Sequence, residues 1–513
     1  MISADVLERE LAPLMNALLA ADWRAACEAS DVNEAAVVAA AIALDGALAR
    51  PERYRALCAA DDGTDRRIRL LRLVFESHQR APDLAGAIIA AEASLASLFS
   101  THRGSIDGAS LDENGIDEIL RTSTDPQRRR SAWEAAKSIG PLVDPELRAL
   151  VKLRNEAART LGYRDHFSFS LAGEELDESW LFGLLDRLER ELAPAWTSEK
   201  AAIDGDQARR LGLGSGAVLR PWDYADAFFQ ETPPGAHDAL GEALREVDPV
   251  EAAAGYMRAL GEDVDAVLAR SDLFPRELKN QHAFCTDLDR SGDVRVLANC
   301  VPGLRWLGTM VHELGHAAYN LAIERSLPWS LRTYAHLLTT EAIAMLHGRR
   351  VRDEAFLSGF CGIDGSLADA GVARRDLLIF AAWVQTMTRF ERELYRDPDQ
   401  DLGTLWWTLV ERYQLVAPPG DRRPHDWACK IHLSTAPVYY HNYLLGELTA
   451  SQLEWALERE CGSASPAACP EAAGRFLRER FAALGSSMRW DALIEQATGE
   501  PLDPRHLVGM LTA

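Results

Sequence analysis

The sequence predicts a mainly α-helical protein with one small β-hairpin, and three observations carry that prediction. From residue 1 to about 280, Ala, Leu, Glu and Arg dominate, and apolar residues recur at three and four, as in Leu181, Leu184, Leu188 and Leu192. The same pattern resumes after residue 300 and runs to the C-terminus, interrupted by Pro418-Pro419-Gly420 and by the loop from Gly462 to Pro470. One stretch departs from it. His282 to Asp289 and Asp293 to Cys300 flank Arg290-Ser291-Gly292, and Val294, Val296 and Ala298 alternate with Arg295, Leu297 and Asn299, the period of a strand.

At 513 residues the chain is longer than one compact core usually grows, so two domains or one large two-lobed helical body is expected. Helix breaks fall at Arg50-Pro51, at Asp61-Asp62-Gly63, between Gly104 and Gly115, and at Gly212-Leu213-Gly214-Ser215-Gly216. The last is a plain connection and not a phosphate loop, because neither a following Lys-Ser/Thr nor a preceding strand accompanies it. A hydrophobic share of 47% and a charged share of 26% are those of a folded globular chain.

The formal charge of −23 repels nucleic acid and anionic membranes, so neither is an expected partner. Arg128-Arg129-Arg130 and Arg349-Arg350 have acidic neighbours and read as solvated helix faces. The N-terminus lacks a basic region followed by an apolar core, and the apolar run there, Ala35 to Leu44, is too short to span a bilayer. A cytoplasmic protein is the expectation. Eight scattered cysteines without a CxxC pair point to reduced thiols, with Cys285 and Cys300 able to face each other across the hairpin as the one exception.

The chemistry lies in His312-Glu313-Leu314-Gly315-His316. Leu304 to Asn320 reads as a helix whose stripe Leu304, Leu307, Val311, Leu314 and Ala318 is apolar, while Arg305, Thr309, His312 and His316 share another face. Four residues are about one helical turn, so both imidazoles reach one tetrahedral ion at roughly 2.0 Å. Glu313 then stands beside the metal, placed to take a proton from an activated water. A catalytic zinc needs a third protein ligand and an open fourth position. The metzincin continuation is absent, since Tyr319 and Ala322 stand where it needs Gly and His. Glu341 sits in an apolar helical run, Leu337 to Met345, where a carboxylate is costly to bury unless a metal offsets the cost; His336 and His347 are rival ligands.

With HExxH and Glu341 in place, the chain resembles the gluzincin peptidases of the angiotensin-converting-enzyme family and, equally, the thimet oligopeptidase and oligoendopeptidase family. The likeness extends to Leu120-Arg121-Thr122-Ser123-Thr124-Asp125-Pro126, to Ala132-Trp133-Glu134-Ala135, to Leu153-Arg154-Asn155-Glu156-Ala157 and to Leu161-Gly162-Tyr163. The cysteine-flanked hairpin with Asp293-Val294-Arg295-Val296 is similar to one in the converting enzymes, as are Lys430-Ile431-His432 and the tyrosines after Pro437. Pro437-Val438-Tyr439-Tyr440-His441-Asn442-Tyr443 is similar to oligoendopeptidases. The resemblance implies one zinc ion per chain, with His312, His316 and Glu341 as ligands and Glu313 as general base. It implies that His432 bonds the substrate, that Tyr443, assisted by Tyr440, donates to an oxyanion, and that Lys430 meets a C-terminal carboxylate.

It also implies a deep channel between helical lobes, with residues 1–115 as an N-terminal lobe or lid and 116–513 as the catalytic region. An edge strand from Val294 to Asn299, with Arg295, Val296 and Ala298, would bind an extended peptide by strand addition. One position departs from the family: Met345 stands four past Glu341, where gluzincins often place a polar residue that orients a zinc-bound histidine, so another group, such as Asp353 or a backbone carbonyl, must orient His312. The expected function is zinc-dependent hydrolysis of short peptides. A hydrolase dedicated to one amide metabolite and a silent peptide-binding scaffold are the alternatives, and the oligomeric state is left open.

Overall fold

The computed structural model describes residues 3–214, 216–233, 239–420 and 423–512. Of the glycine stretch expected to be a connection, Ser215 lies outside the described residues, and the long helix Glu178–Arg210 ends just before it. The protein is 68% helical, with two small antiparallel two-stranded sheets among the described residues, so the mainly α expectation holds. One sheet was not foreseen: β1 (Gly104–Ile106) pairs with β2 (Ala109–Leu111) inside a stretch read only as a helix break. The expected hairpin is present, with β3 (Phe284–Asp287) paired to β4 (Val294–Leu297) in the register Cys285 to Val296 and Asp287 to Val294.

Contacts divide the chain elsewhere than at the expected boundary after residue 115. One unit gathers residues 1–79, 239–370 and 445–507, and the other gathers 80–238, 371–444 and 508–513. In the first unit Ser30 caps the helix Asp31–Leu48 by accepting the Asn33 N–H, which satisfies one of the amides a helix start leaves bare. That helix packs against Ala4–Cys27, and Leu7, Leu11, Leu44, Leu48, Leu57 and Phe75 close a core between the N-terminal helices. In the second unit Leu181, Leu184, Leu188 and Leu192 are all buried, as their spacing requires. The helix Pro82–Thr101 is long and apolar enough to cross a membrane by length and composition, with a mean hydropathy of 1.5, a feature the sequence reading passed over.

The arginine runs read as solvated faces are corrected in part: Arg128 and Arg130 are exposed, whereas Arg129, Arg349 and Arg350 are not. Arg129 is completely buried and donates to the carbonyls of Leu120, Ser123, Trp222 and Tyr224, tying two helices and a loop together. Arg349 bonds Glu447 and, at 2.8 Å, Glu454, while Arg350 pairs with Glu454 and with Asp353 at 3.3 Å. Sequence neighbours supply charge but not burial, and the acids that pair with Arg349 lie about a hundred residues away. The cysteine exception also fails. Cys285 sits opposite Val296, Cys300 lies beyond the end of β4, and both thiols are free.

His347 illustrates the cost of burying a titratable group in this fold. Its Nδ1 is 2.8 Å from the hydroxyl of Tyr256, in the helix Pro249–Ala259, and burial, with Arg350 adding to it, pushes the imidazole down to about 3. The folded state therefore refuses a proton that the unfolded chain accepts near pH 6.5, so stability present above that pH is lost as pH falls towards 3. His347→Gln should lose less stability than the parent between pH 7 and pH 4, by about 2–3 kcal/mol, as read from denaturation midpoints at the two pH values. Equal losses in the two proteins would refute the assignment.

Candidate metal centre

Two helices of the first unit build the site. The motif helix, Leu304–Ala322, follows Gly303, whose φ of 130° is open to glycine and strained for other residues. Its stripe Leu307, Val311, Leu314 and Ala318 is buried. Against it lies the helix Leu337–Gly348, whose start is capped by His336, with Nδ1 accepting the Leu338 N–H at 3.0 Å. The approach depends on Gly315. A Cβ there would stand 2.9 Å from the Ala344 Cα, closer than real contacts allow.

This packing brings His312, His316 and Glu341 together, with their donor atoms all within 4.8 Å of one another. Glu341 Oε2 is 3.7 Å from His312 Nε2 and 4.0 Å from His316 Nε2. The imidazole planes are nearly perpendicular, at 87° with centroids 4.8 Å apart. Burial lowers His312 to about 4 and takes His316 well below its ordinary value, with His312 adding to the second shift. Both rings are therefore neutral and offer lone pairs, the state a metal needs, and Glu341 adds a buried carboxylate. Two imidazoles and one carboxylate fit zinc.

Glu313 points elsewhere from the same helix. Burial, and next the Glu341 carboxylate, raise it to about 8, with the Cys285 backbone N–H working in the opposite direction. A cation among the three donors would favour its charged form. The two rival ligands are otherwise committed: His336 to its helix cap and His347 to Tyr256.

The surrounding shell supplies an orienting partner for His316. His316 Nδ1 is 2.7 Å from the Thr340 hydroxyl, which leaves Nε2 for the metal. The sequence reading missed Thr340, although a polar residue directly before a ligand in an apolar run is a signal for it. Met345 fills the space under Gly446, where an added Cβ would lie 3.0 Å from both its sulfur and the Glu341 Cβ. Asp353 is not the partner of His312: it accepts the Ala355 and Phe356 amides and pairs with Arg350.

The hairpin corrects another expectation. β4 is paired on both sides, by β3 on one and by residues 271–273 on the other. Val296 N–H donates to Ser271 Oγ at 2.8 Å, its carbonyl accepts the Asp272 N–H at 3.0 Å, and Ala298 N–H donates to Asp272 at 2.9 Å. Val296 and Ala298 are buried, and Arg295 pairs with Asp293 at 2.8 Å over the Trp23 ring. Arg295, Val296 and Ala298 thus have no free edge to offer a peptide, because residues 271–273 already occupy it through an isolated bridge and the hydrogen bonds beside it.

In the second unit the remaining candidates form their own cluster. The His432 and Tyr440 rings are 5.0 Å apart, Tyr440 and Tyr443 5.7 Å, and Tyr439 and Tyr443 4.9 Å. Phe380 and Trp383, on the helix Ala370–Arg396, contact Tyr443 at 6.1 Å and Tyr440 at 5.8 Å. Burial holds the Tyr440 hydroxyl protonated far above its ordinary range. Lys430 is buried over Phe228 and Trp383, donates to Gln230 Oε1 at 3.0 Å, and is lowered to about 8 by burial. Gln230, some 200 residues upstream, carries no motif that would have announced it.

Removing the hydroxyl that orients His316 should loosen the metal. Thr340→Val is expected to weaken zinc binding about 10–100-fold in competition with a chelator, with the fold retained by circular dichroism. Unchanged affinity would show that Thr340 plays no such part.

The profile described as angiotensin-converting enzyme, the peptidase M2 family, matches residues 4–199 and 276–508. A comparison with curated proteins gives no match. The matched stretches make up well over half of the chain and contain all three metal-donor residues together with Glu313, so the chain belongs to the angiotensin-converting enzyme family of zinc-dependent metallopeptidases.

Proposed function

We propose that this protein hydrolyses short, extended peptides, with His312, His316 and Glu341 holding one zinc ion per chain and Glu313 acting as general base. The observation that carries the reading is the convergence of two neutral imidazoles and a buried carboxylate, with a further carboxylate next in the chain to the first histidine. When bound, the ion supplies Lewis acidity that activates water and polarises the scissile carbonyl. Glu313 takes the proton from the attacking water and delivers it to the leaving nitrogen; burial raises its proton affinity, and a cation held by the three donors opposes that rise. Tyr443 donates to the developing oxyanion, Tyr440 stands beside it, and His432 hydrogen-bonds the same oxygen or the neighbouring substrate carbonyl.

Lys430 gives the reading its direction along the chain. A cation buried over aromatic rings, with Gln230 holding it in place, suits a peptide's terminal carboxylate and favours release of dipeptides over internal cleavage. The charge of −23 supports a small peptide or amide as the partner, with no attraction for nucleic acid or anionic membranes, in a cytoplasmic setting. The likeness of the Pro437 to Tyr443 run to oligoendopeptidases favours the opposite, internal mode of cutting. Product analysis on a mixed oligopeptide library separates the two, and a library left almost uncut would instead favour a hydrolase dedicated to one amide.

Glu313→Gln should retain zinc in elemental analysis yet lose about 10²–10⁴-fold in kcat, and normal turnover would remove Glu313 from the mechanism. Lys430→Met should raise KM for peptides with a free C-terminus by about tenfold or more while leaving C-terminally amidated peptides unaffected. Because Lys430 is lowered to about 8, the parent's preference for the free carboxylate should fade as pH rises through 8, which KM measured for both substrates across that range checks.

A further inference from the structure

Val438 holds a backbone conformation that its side chain resists. Its φ is 55°, in the left-handed region that β-branched residues almost never enter, and it is buried between Pro437 and Tyr439, two residues before the helix Tyr440–Cys461 begins. Such a conformation persists only where the surroundings impose it, and a buried carboxyl bonds its backbone here. The Val438 N–H donates to Glu391 Oε1 at 2.7 Å. Upstream of that turn, in the short helix His432–Thr435, Arg154 donates to the carbonyls of Leu433 and Ser434 at 3.2 and 2.6 Å.

Glu391 does not act from an arbitrary position. Phe380, Trp383 and Glu391 lie within about 80° on one face of the helix Ala370–Arg396, at spacings of three and eight residues. The first two bear on Tyr443 and Tyr440, and the third bears on the turn that sets where those tyrosines emerge. The carboxyl is fully buried, and burial raises it to about 8, so it is kept as a neutral acceptor, with Arg154 and Glu174 the charged groups that face it. A buried carboxyl and a strained β-branched residue are each unfavourable alone, and together they lock one turn.

We propose that Glu391 is a positioning residue for the tyrosine pair: by accepting the Val438 N–H it fixes the left-handed turn that aims Tyr440 and Tyr443 from the start of their helix. The inference rests on the role given to Tyr443 above. Glu391 touches neither substrate nor metal and acts through the backbone of residue 438.

Single and double variants test it in the zinc-loaded protein. Glu391→Met, which keeps volume but removes the acceptor, should lower kcat about 10–100-fold with KM changed less than about twofold, whereas Glu391→Gln, which keeps a neutral carbonyl, should restore kcat to near the parent value. Val438→Gly keeps the N–H that Glu391 holds and relieves the strain, so alone it should leave kcat within about threefold of the parent, whereas adding Glu391→Met to it should lower kcat about tenfold. This double variant carries the test if Glu391→Met alone does not fold. Glu391→Met combined with Tyr443→Phe should be no slower than Tyr443→Phe alone, since both remove the same donor from its place.

A purely structural Glu391 predicts multiplying defects in the double variant with Tyr443→Phe, or a melting-temperature loss with kcat intact, and either result overturns the inference. If Tyr443→Phe alone leaves kcat unchanged, the role of Tyr443 falls and this inference falls with it. A Tyr443→Phe defect beside normal turnover in Glu391→Met and in its double variant with Val438→Gly overturns the Glu391 role only.

Discussion

The contact on which the metal site depends is the approach of two helix backbones at Gly315 and Ala344. Everything chemical about the centre follows from how near those helices come. The turn that separates His312 from His316 is a property of any helix, but Glu341 reaches them only because nothing larger than a hydrogen stands on Gly315. The same nearness strips water from the donors, which leaves the imidazoles neutral and raises Glu313. Within the pattern HExxH, the second variable position is thus not variable here. A side chain at 315 would separate the ligands before it altered any of them.

Much of this centre was legible in the sequence, because a period of 3.6 residues and a costly carboxylate in an apolar run are local signals. His312, Glu313, His316 and Glu341 all announce themselves in that way, and the hairpin at 284–297 does so through alternation. What could not be read has a common cause, which is partnership at long sequence range. Thr340 became meaningful only once His316 was set against it, and Gln230 only once Lys430 had been folded over Phe228. β4 looked like a free edge because the segment that covers it, residues 271–273, carries no strand pattern of its own.

The cluster of His432, Tyr440 and Tyr443 shows a different economy. Its rings are placed by an aromatic face and by one turn in an unfavourable conformation. The strain is confined to residue 438, which carries no reactive group.

Arg129 offers a contrast in how a buried charge is accommodated. Its guanidinium is surrounded by four main-chain carbonyls, and burial lowers it to about 10 without depriving it of its proton at neutral pH. The exposed pairs of this strongly acidic protein, such as Arg130 with Glu134, are open to screening by dissolved ions. Carbonyl dipoles enclosed with their cation are not. The joint that Arg129 makes between the helices Glu113–Thr122 and Pro126–Lys137 and the loop at Trp222 therefore keeps its strength in brine, while the outer ionic contacts fade.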